Sequence, residues 1–247
     1  MRKTINLNAD WTFTGQDGVP TAVTVPHTWN AIDGQDGGND YYRGECRYER
    51  TFSSPEHSDS ELVYLQFHGV NASARVELNG QALGTHDGGY STFRWDVTEV
   101  LKAENELVVW VDNGVNDRVY PQKADFTFYG GIYRDVELLI VDELHFDLDY
   151  CGGPGIQVTA KPLEGYDKAE VTVKTWKKTF LGETRLTITD ASGAVAATGE
   201  GNSATLTIDK VHLWNGVEDP YLYTVTAQLV EKGRSVEIGI FYAVPEM

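Results

Sequence analysis

The run Asp125-Phe-Thr-Phe-Tyr-Gly-Gly-Ile-Tyr-Arg-Asp-Val136 carries the most chemistry per residue in the chain. A carboxylate precedes three aromatic residues and a glycine pair, and a strand-like segment over 132–141 follows. Aromatic rings cover the apolar C–H face of a pyranose, and a fixed carboxylate accepts hydrogen bonds from its hydroxyls, so the combination suits sugar binding. Asp is equally at home capping a loop turn, and the rings could simply cover a sheet edge. Gly130-Gly131 fits a turn that needs positive φ or a close backbone approach.

Other groups carry less. His27 and Trp29, in Val25-Pro-His-Thr-Trp29, read as loop anchors, because no Ser or Cys accompanies His27 as a nucleophile. The six histidines are scattered without zinc-type spacing. Asp33, Asp36, Asn39 and Asp40 offer oxygen ligands for Ca²⁺ but lack the EF-hand pattern, and read as a solvated loop. No phosphate loop or dinucleotide fingerprint is present, so no organic cofactor is expected.

The elements that must position these residues are strands. Ser73-Ala-Arg-Val-Glu-Leu-Asn79 alternates with period two and ends in Asn79-Gly80, a strong hairpin signal. Segments 47–52, 61–67, 106–112 and 136–141 read as further strands of a first sandwich. After Asp142 the aromatic-rich loops stop. Shorter alternating segments follow at 155–160, 169–176, 184–189, 204–208 and 221–229, with turns such as Asp190-Ala-Ser-Gly193 between them. That spacing predicts an immunoglobulin-like sandwich. The expected fold is therefore all-β: a first sandwich over 1–142 and an immunoglobulin-like sandwich over 143–247.

Composition narrows the partners. Thirty-seven acids against 20 bases give a net charge of −17 over 247 residues, which repels phosphate backbones and anionic lipid. Nucleic-acid and membrane partners are not expected. No apolar stretch follows Met1-Arg-Lys and none approaches a membrane span. Cys46 and Cys151 form no metal-type spacing and read as free thiols, which makes the cytoplasm the expected location.

The order of motifs adds a resemblance. Ile5-Asn-Leu-Asn-Ala-Asp-Trp-Thr-Phe13 opens the chain, followed by Val25-Pro-His-Thr-Trp29, Tyr41-Tyr-Arg-Gly44 and Tyr48-Glu-Arg-Thr-Phe52. Phe67-His-Gly-Val-Asn71, Val76-Glu-Leu-Asn-Gly80, Gly88-Gly-Tyr-Ser-Thr-Phe93, Leu107 to Asn113 and the Asp125–Val136 run complete the first half. In the second half Leu213-Trp214 precedes Asp219-Pro-Tyr-Leu-Tyr223. This series resembles glycoside hydrolase family 2, the β-galactosidase and β-glucuronidase group, over nearly the whole chain. One departure is Arg47, where the family often carries Trp. A second is the ending Gly239-Ile-Phe-Tyr-Ala-Val-Pro-Glu-Met247, where the family would enter a catalytic barrel of about 250 residues.

The resemblance implies a jelly-roll, galactose-binding-like fold for the first sandwich and a β-linked glycoside substrate in an intact enzyme, a homo-oligomer being compatible with it. Retaining glycosidases use two carboxyl groups about 5–5.5 Å apart. In this family both are barrel glutamates, so the chain is expected to hold no catalytic residue. Glu106 mimics the family's Asn-Glu pair but lies at a strand approach. The resemblance instead places Asp125 at one wall of the −1 subsite, in some members with a Ca, Mg or Na ion. Phe128, Tyr129, Tyr42 and Arg43 are the other expected substrate contacts; Tyr41, Tyr42 and Arg43 could alternatively serve loop packing or a subunit contact. Arg134 and Asp135 suit a charge-assisted interface role. The alternatives to a non-catalytic N-terminal portion of a β-galactosidase-like enzyme are an autonomous carbohydrate-binding module and a structural or interaction module.

Overall fold

The computed structural model describes residues 2–33, 41–120, 122–123, 127–179 and 181–246. The chain divides into two compact units, Lys3–Ile140 and Val141–Met247 with Arg2 joining the second. Each encloses its own apolar core.

The first unit is built from β1 (Lys3–Asn6), β2 (Trp11–Thr14), β3 (Pro20–Val23), β4 (Glu45–Ser53), β5 (Glu61–Phe67), β6 (Ser73–Leu78), β7 (Gln81–Asp87), β8 (Phe93–Asp96), β9 (Glu104–Asp112) and β10 (Val136–Asp142). They form a six-stranded sheet, β3-β2-β4-β9-β6-β7, and a four-stranded sheet, β1-β10-β5-β8. Because alternate side chains point to opposite faces, the longer strands turn alternate residues toward the core. Tyr48 and Phe52 of β4, Val76 and Leu78 of β6 and Leu107, Val109 and Val111 of β9 pack with Val63, Leu65 and Phe67 of β5 and Leu138 and Ile140 of β10. The expected strand over 132–141 begins only at Val136. The stretch before it is held by loop bonds instead, His27 N to the Ile132 carbonyl at 2.8 Å and His68 N to the Asp135 carbonyl at 3.0 Å.

The second unit contains β11 (Ile156–Pro162), β12 (Lys168–Thr175), β13 (Glu183–Thr189), β14 (Val195–Glu200), β15 (Ser203–Asp209), β16 (Tyr223–Glu231) and β17 (Arg234–Ala243). A three-stranded sheet, β11-β12-β15, and a four-stranded one, β14-β13-β16-β17, share a core of Val171, Val173, Leu186, Ile188, Val225 and Leu229. The three-plus-four arrangement is immunoglobulin-like. Residues 240–243 belong to β17, an edge strand paired to β16 through Tyr223↔Ala243. Its outward residues Ile238, Ile240 and Tyr242 are exposed.

Turn chemistry fixes the registers. Asn79 (φ 56) and Gly80 (φ 77) make the β6–β7 turn, in which both central residues take positive φ. The Asn79 amide donates to the Val100 carbonyl and to Asn105 Oδ1, both at 2.9 Å, and accepts from Glu106 N at 3.0 Å. Asp190 Oδ1 accepts from Ser192 and Ala194 N–H groups, both at 2.9 Å. Glu106 itself stands exposed on β9 while its neighbour Asn105 is buried. Asn79→Ala loses the three side-chain bonds and strains the αL position, and is expected to destabilise the chain by roughly 2–4 kcal/mol in urea unfolding. Asn79→Gly keeps the backbone conformation, so a smaller loss is expected; equal losses would remove the αL contribution.

Candidate functional site

Two asparagines, Asn30 and Asn113, are fully buried in the first unit and join three loops. Asn113 Nδ2 donates to Asn30 Oδ1 and to the Phe128 carbonyl, each at 3.1 Å. Asn30 Oδ1 also accepts from Gly130 N at 2.8 Å, and its Nδ2 donates to the Tyr42 carbonyl at 2.9 Å and to Asp33 Oδ2 at 2.7 Å. Asn113 Oδ1 accepts from Gly44 N at 2.9 Å. Each donor and acceptor of both amides is thereby used, as burial requires. The pair ties the segment after β3, the Tyr41–Gly44 approach to β4 and residues 128–130 into one rigid rim.

Glycine makes the close packing feasible. A Cβ on Gly130 would overlap the Trp29 indole, and one on Gly131 (φ 136) would overlap the His27 carbonyl. The expected turn and close approach are both present at this pair. Trp29 stacks on Phe13 with centroids 6.0 Å apart and donates from Nε1 to the Tyr42 carbonyl at 3.2 Å. His27 Nδ1 lies 2.7 Å from the Tyr48 hydroxyl. Both are loop anchors.

Beside this rim lies a groove of about 370 Å³, lined by Thr28, Asn71, Tyr90, Phe128, Tyr129 and Tyr133 among others. The residues expected to contact substrate distribute unevenly around it. Asp125 and Phe126 lie outside the described residues, as do Asp36, Asn39 and Asp40. Tyr129 is 42 % exposed on the groove, whereas Phe128 is 6 % exposed. Tyr42 and Arg43 do not line it. The Tyr42 ring packs against Gly44, where a Cβ would not fit, and burial pushes its hydroxyl pKa up. Arg43 donates from Nε to the Asn113 carbonyl at 3.0 Å, and its guanidinium lies between the rings of Tyr41 (5.7 Å) and Phe128 (5.9 Å). Its Nη2 is buried without a hydrogen-bond partner. Arg134 sits over the Tyr133 ring and donates to the Tyr90 carbonyl at 3.5 Å; Asp135 accepts from Asn8 Nδ2 at 2.7 Å.

Sequence reasoning did not single out Asn30, Asn71, Asn113, Tyr90, Tyr120 or Tyr133. Buried Asn71 donates from Nδ2 to the Tyr129 carbonyl and accepts from the Tyr120 hydroxyl, both at 2.7 Å, and exchanges backbone bonds with Gly131. Tyr120 stacks on Tyr90 at 5.1 Å, and Tyr133 donates its hydroxyl to the Gly89 carbonyl. Burial, followed by the hydrogen bond with Tyr90, raises the Tyr120 pKa, so the Tyr120 phenol stays protonated at neutral pH. The only available signal was position within the quoted motifs, since Asn71, Tyr90 and Asn113 each lie in one. Cys46 and Cys151 are free thiols, and burial pushes that of Cys46 to about 12. Among the described residues, no three His, Cys, Asp or Glu side chains gather as a metal site. Nor is any helix there long and apolar enough to cross a membrane.

Asn113→Asp places two acceptors against each other at Asn30 and the Phe128 carbonyl. It is expected to cost about 2–4 kcal/mol in chemical denaturation, as is Asn30→Ala; a loss below 0.5 kcal/mol would disprove the rim's importance. A pH dependence also follows. Burial lowers the pKa of His27 and of His86, so the unfolded chain takes up protons first as pH falls. Stability should therefore be constant above about pH 7 and decline below about 6.5, the unfolded value. His27→Gln should flatten that decline in a series of urea melts.

Comparison with known proteins places this geometry. Residues 2–141 match the glycosyl hydrolases family 2 sugar binding domain, and residues 144–239 match a second glycosyl hydrolases family 2 domain. A β-glucuronidase of Bacteroides fragilis is 35 % identical over 96 % of this chain, which covers 36 % of that protein. The crystal structure of an FMN-binding β-glucuronidase from Faecalibacterium prausnitzii L2-6 superposes with a TM-score of 0.91 at 36 % identity, over 98 % of this chain and 39 % of that one. A putative β-galactosidase from Bacteroides fragilis gives 0.90 at 30 % identity, over 98 % of this chain and 41 % of that one. The chain thus spans little more than a third of the length of these relatives. It comprises the sugar-binding and immunoglobulin-like sandwiches of that architecture, and the chain belongs to glycosyl hydrolase family 2.

Proposed function

We propose that this chain is the non-catalytic N-terminal portion of a family 2 glycosidase acting on a β-glucuronide or β-galactoside. It would supply one wall of the −1 subsite and buttress the catalytic part. The observation that carries this reading is that both sandwiches match family 2 domains along almost the whole chain while covering only about a third of the relatives. The emphasis on β-galactosidase widens to β-glucuronidase, because two relatives above 30 % identity that match over nearly the whole chain are a β-glucuronidase and a putative β-glucuronidase.

In this reading Asp125 and the exposed ring of Tyr129 face the sugar. Phe128, Tyr42 and Arg43 act by holding the rim through the contacts to Asn113 and Asn30. Glu106 takes no part, since acid/base work needs a second carboxyl group about 5–5.5 Å away and its place on β9 serves the sheet. We assign no organic cofactor, and a subsite Ca, Mg or Na ion would need Asp125 as its ligand.

The purified chain is expected to hydrolyse neither p-nitrophenyl β-glucuronide nor p-nitrophenyl β-galactoside; turnover that copurifies with it would overturn the reading. A chimera in which residues 2–239 replace the matched portion of the Bacteroides fragilis β-glucuronidase should hydrolyse the glucuronide. In it, Asp125→Ala should lower kcat/KM by about 100-fold with folding unchanged. An unaltered kcat/KM would remove Asp125 from the site. Saturable, Asp125-dependent binding of a plain sugar by the chain alone would instead favour an autonomous carbohydrate-binding module.

A further inference from the structure

Glu237 on β17 is 3 % exposed, the one buried Asp or Glu among the described residues. A regular strand sends neighbouring side chains to opposite faces, yet Val236 and Glu237 are both buried. A β-bulge is the cause. Leu229 pairs with Glu237 and Val230 with Ser235, which leaves Val236 as an extra residue on β17. A bulge bends its strand and re-aims the side chain beside it. Here it turns a charge away from water.

A buried carboxylate is tolerated only when its oxygens are paired and hydrogen-bonded. Oε2 accepts from Phe146 N at 2.6 Å, and Oε1 accepts from Arg2 Nε at 3.0 Å and Nη2 at 2.6 Å. Among the described residues Arg2 is the only donor to Oε1. Both partners stand where the chain passes between units. The division falls between Arg2 and Lys3 and again between Ile140 and Val141. Lys3 opens β1 and pairs with Ile140 of β10, so Arg2 lies one residue beyond a strand of the first unit while it belongs to the second. Phe146 follows the other passage, and its ring enters the second core.

We propose that Glu237 is a conformational clasp that makes the second sandwich depend on the pairing of β1 in the first. While β1 stays on β10, the backbone before Arg2 is already ordered, and only the arginine side chain must be fixed to reach the carboxylate. When β1 leaves β10, Arg2 leaves with it. Glu237 then keeps a buried negative charge without its cation, and removing one partner of a buried pair is strongly destabilising. The loss falls on Phe146 and β17, which share that carboxylate. The second sandwich loosens although none of its own strands has been disturbed. Arg2 acts as a positioning residue, and no ligand takes part.

Site-resolved hydrogen exchange on the 247-residue chain tests the clasp. Arg2→Ala should speed exchange of the Phe146 amide and of β16 and β17 amides by roughly ten-fold or more, with β4 and β9 amides of the first core within about two-fold of the parent. Thr4→Pro and Ile5→Pro address the link to β1. Successive N–H groups of an edge strand point alternately toward its partner and away, so one of the two prolines removes a ladder bond. That variant should reproduce the acceleration at Phe146 with Arg2 still present, and adding Arg2→Ala to it should change little. Glu237→Gln keeps an acceptor for Phe146 N but no charge; in its background Arg2→Ala should alter exchange by less than about three-fold. Four results would each overturn the clasp: no response of Phe146 to Arg2→Ala, equal acceleration in both cores, an undiminished Arg2→Ala effect beside Glu237→Gln, or a Phe146 amide indifferent to both prolines. The family 2 reading stands apart from these outcomes and is judged by the activity of the chimera.

Discussion

The buried amide pair Asn30–Asn113 is the interaction on which the rest of the site depends. The two residues are 83 positions apart, yet their side chains supply hydrogen bonds to three loop segments. Loops buried without a sheet ladder must find partners for their backbone N–H and C=O groups, or pay for each one left unpaired. Here two amides do that for Tyr42, Gly44, Phe128 and Gly130 together. Because the bonds share acceptors, the loops cannot move singly.

From that constraint the remaining geometry follows. With Gly130 fixed, Gly131 pairs with Asn71, and Asn71 in turn fixes the Tyr120 hydroxyl and the Tyr129 carbonyl. The aromatic walls of the groove are thus positioned by amides, and the Tyr133 hydroxyl is directed into the protein. The jelly-roll sandwich beneath contributes a rigid base, as β4 and β9 pair over nine residues on each side and deliver Gly44 and Asn113 at neighbouring ends. Arg43 completes the rim as a cation held against two rings.

Much of the fold was legible because its signals are local. Period-two alternation located ten of the strands, and Asn79-Gly80 fixed a hairpin through a requirement for positive φ at two adjacent residues. Glycines 130 and 131 were readable for the same kind of reason. Short strands such as β1, β2, β3 and β8 were not, since four residues carry too little pattern. The site was harder. Whether an asparagine binds water or bridges two loops depends on partners far along the chain, as Asn30 and Asn113 show. Likewise Tyr42 and Arg43 were chosen for their position in a motif, while their packing against Gly44 and Phe128 could only be seen in three dimensions.

The outward face of β17 has a colloidal consequence. Ile238, Ile240 and Tyr242 form an apolar stripe along the free edge of a sheet, and such an edge can recruit a strand from another molecule. No charge stands within the stripe itself. The opposition comes from the −17 charge of the whole chain, which acts at long range between molecules. Its reach is set by the ions in solution, about 10 Å at 0.1 M salt and about 3 Å at 1 M. The same surface is therefore self-repelling in dilute buffer and adhesive in concentrated salt.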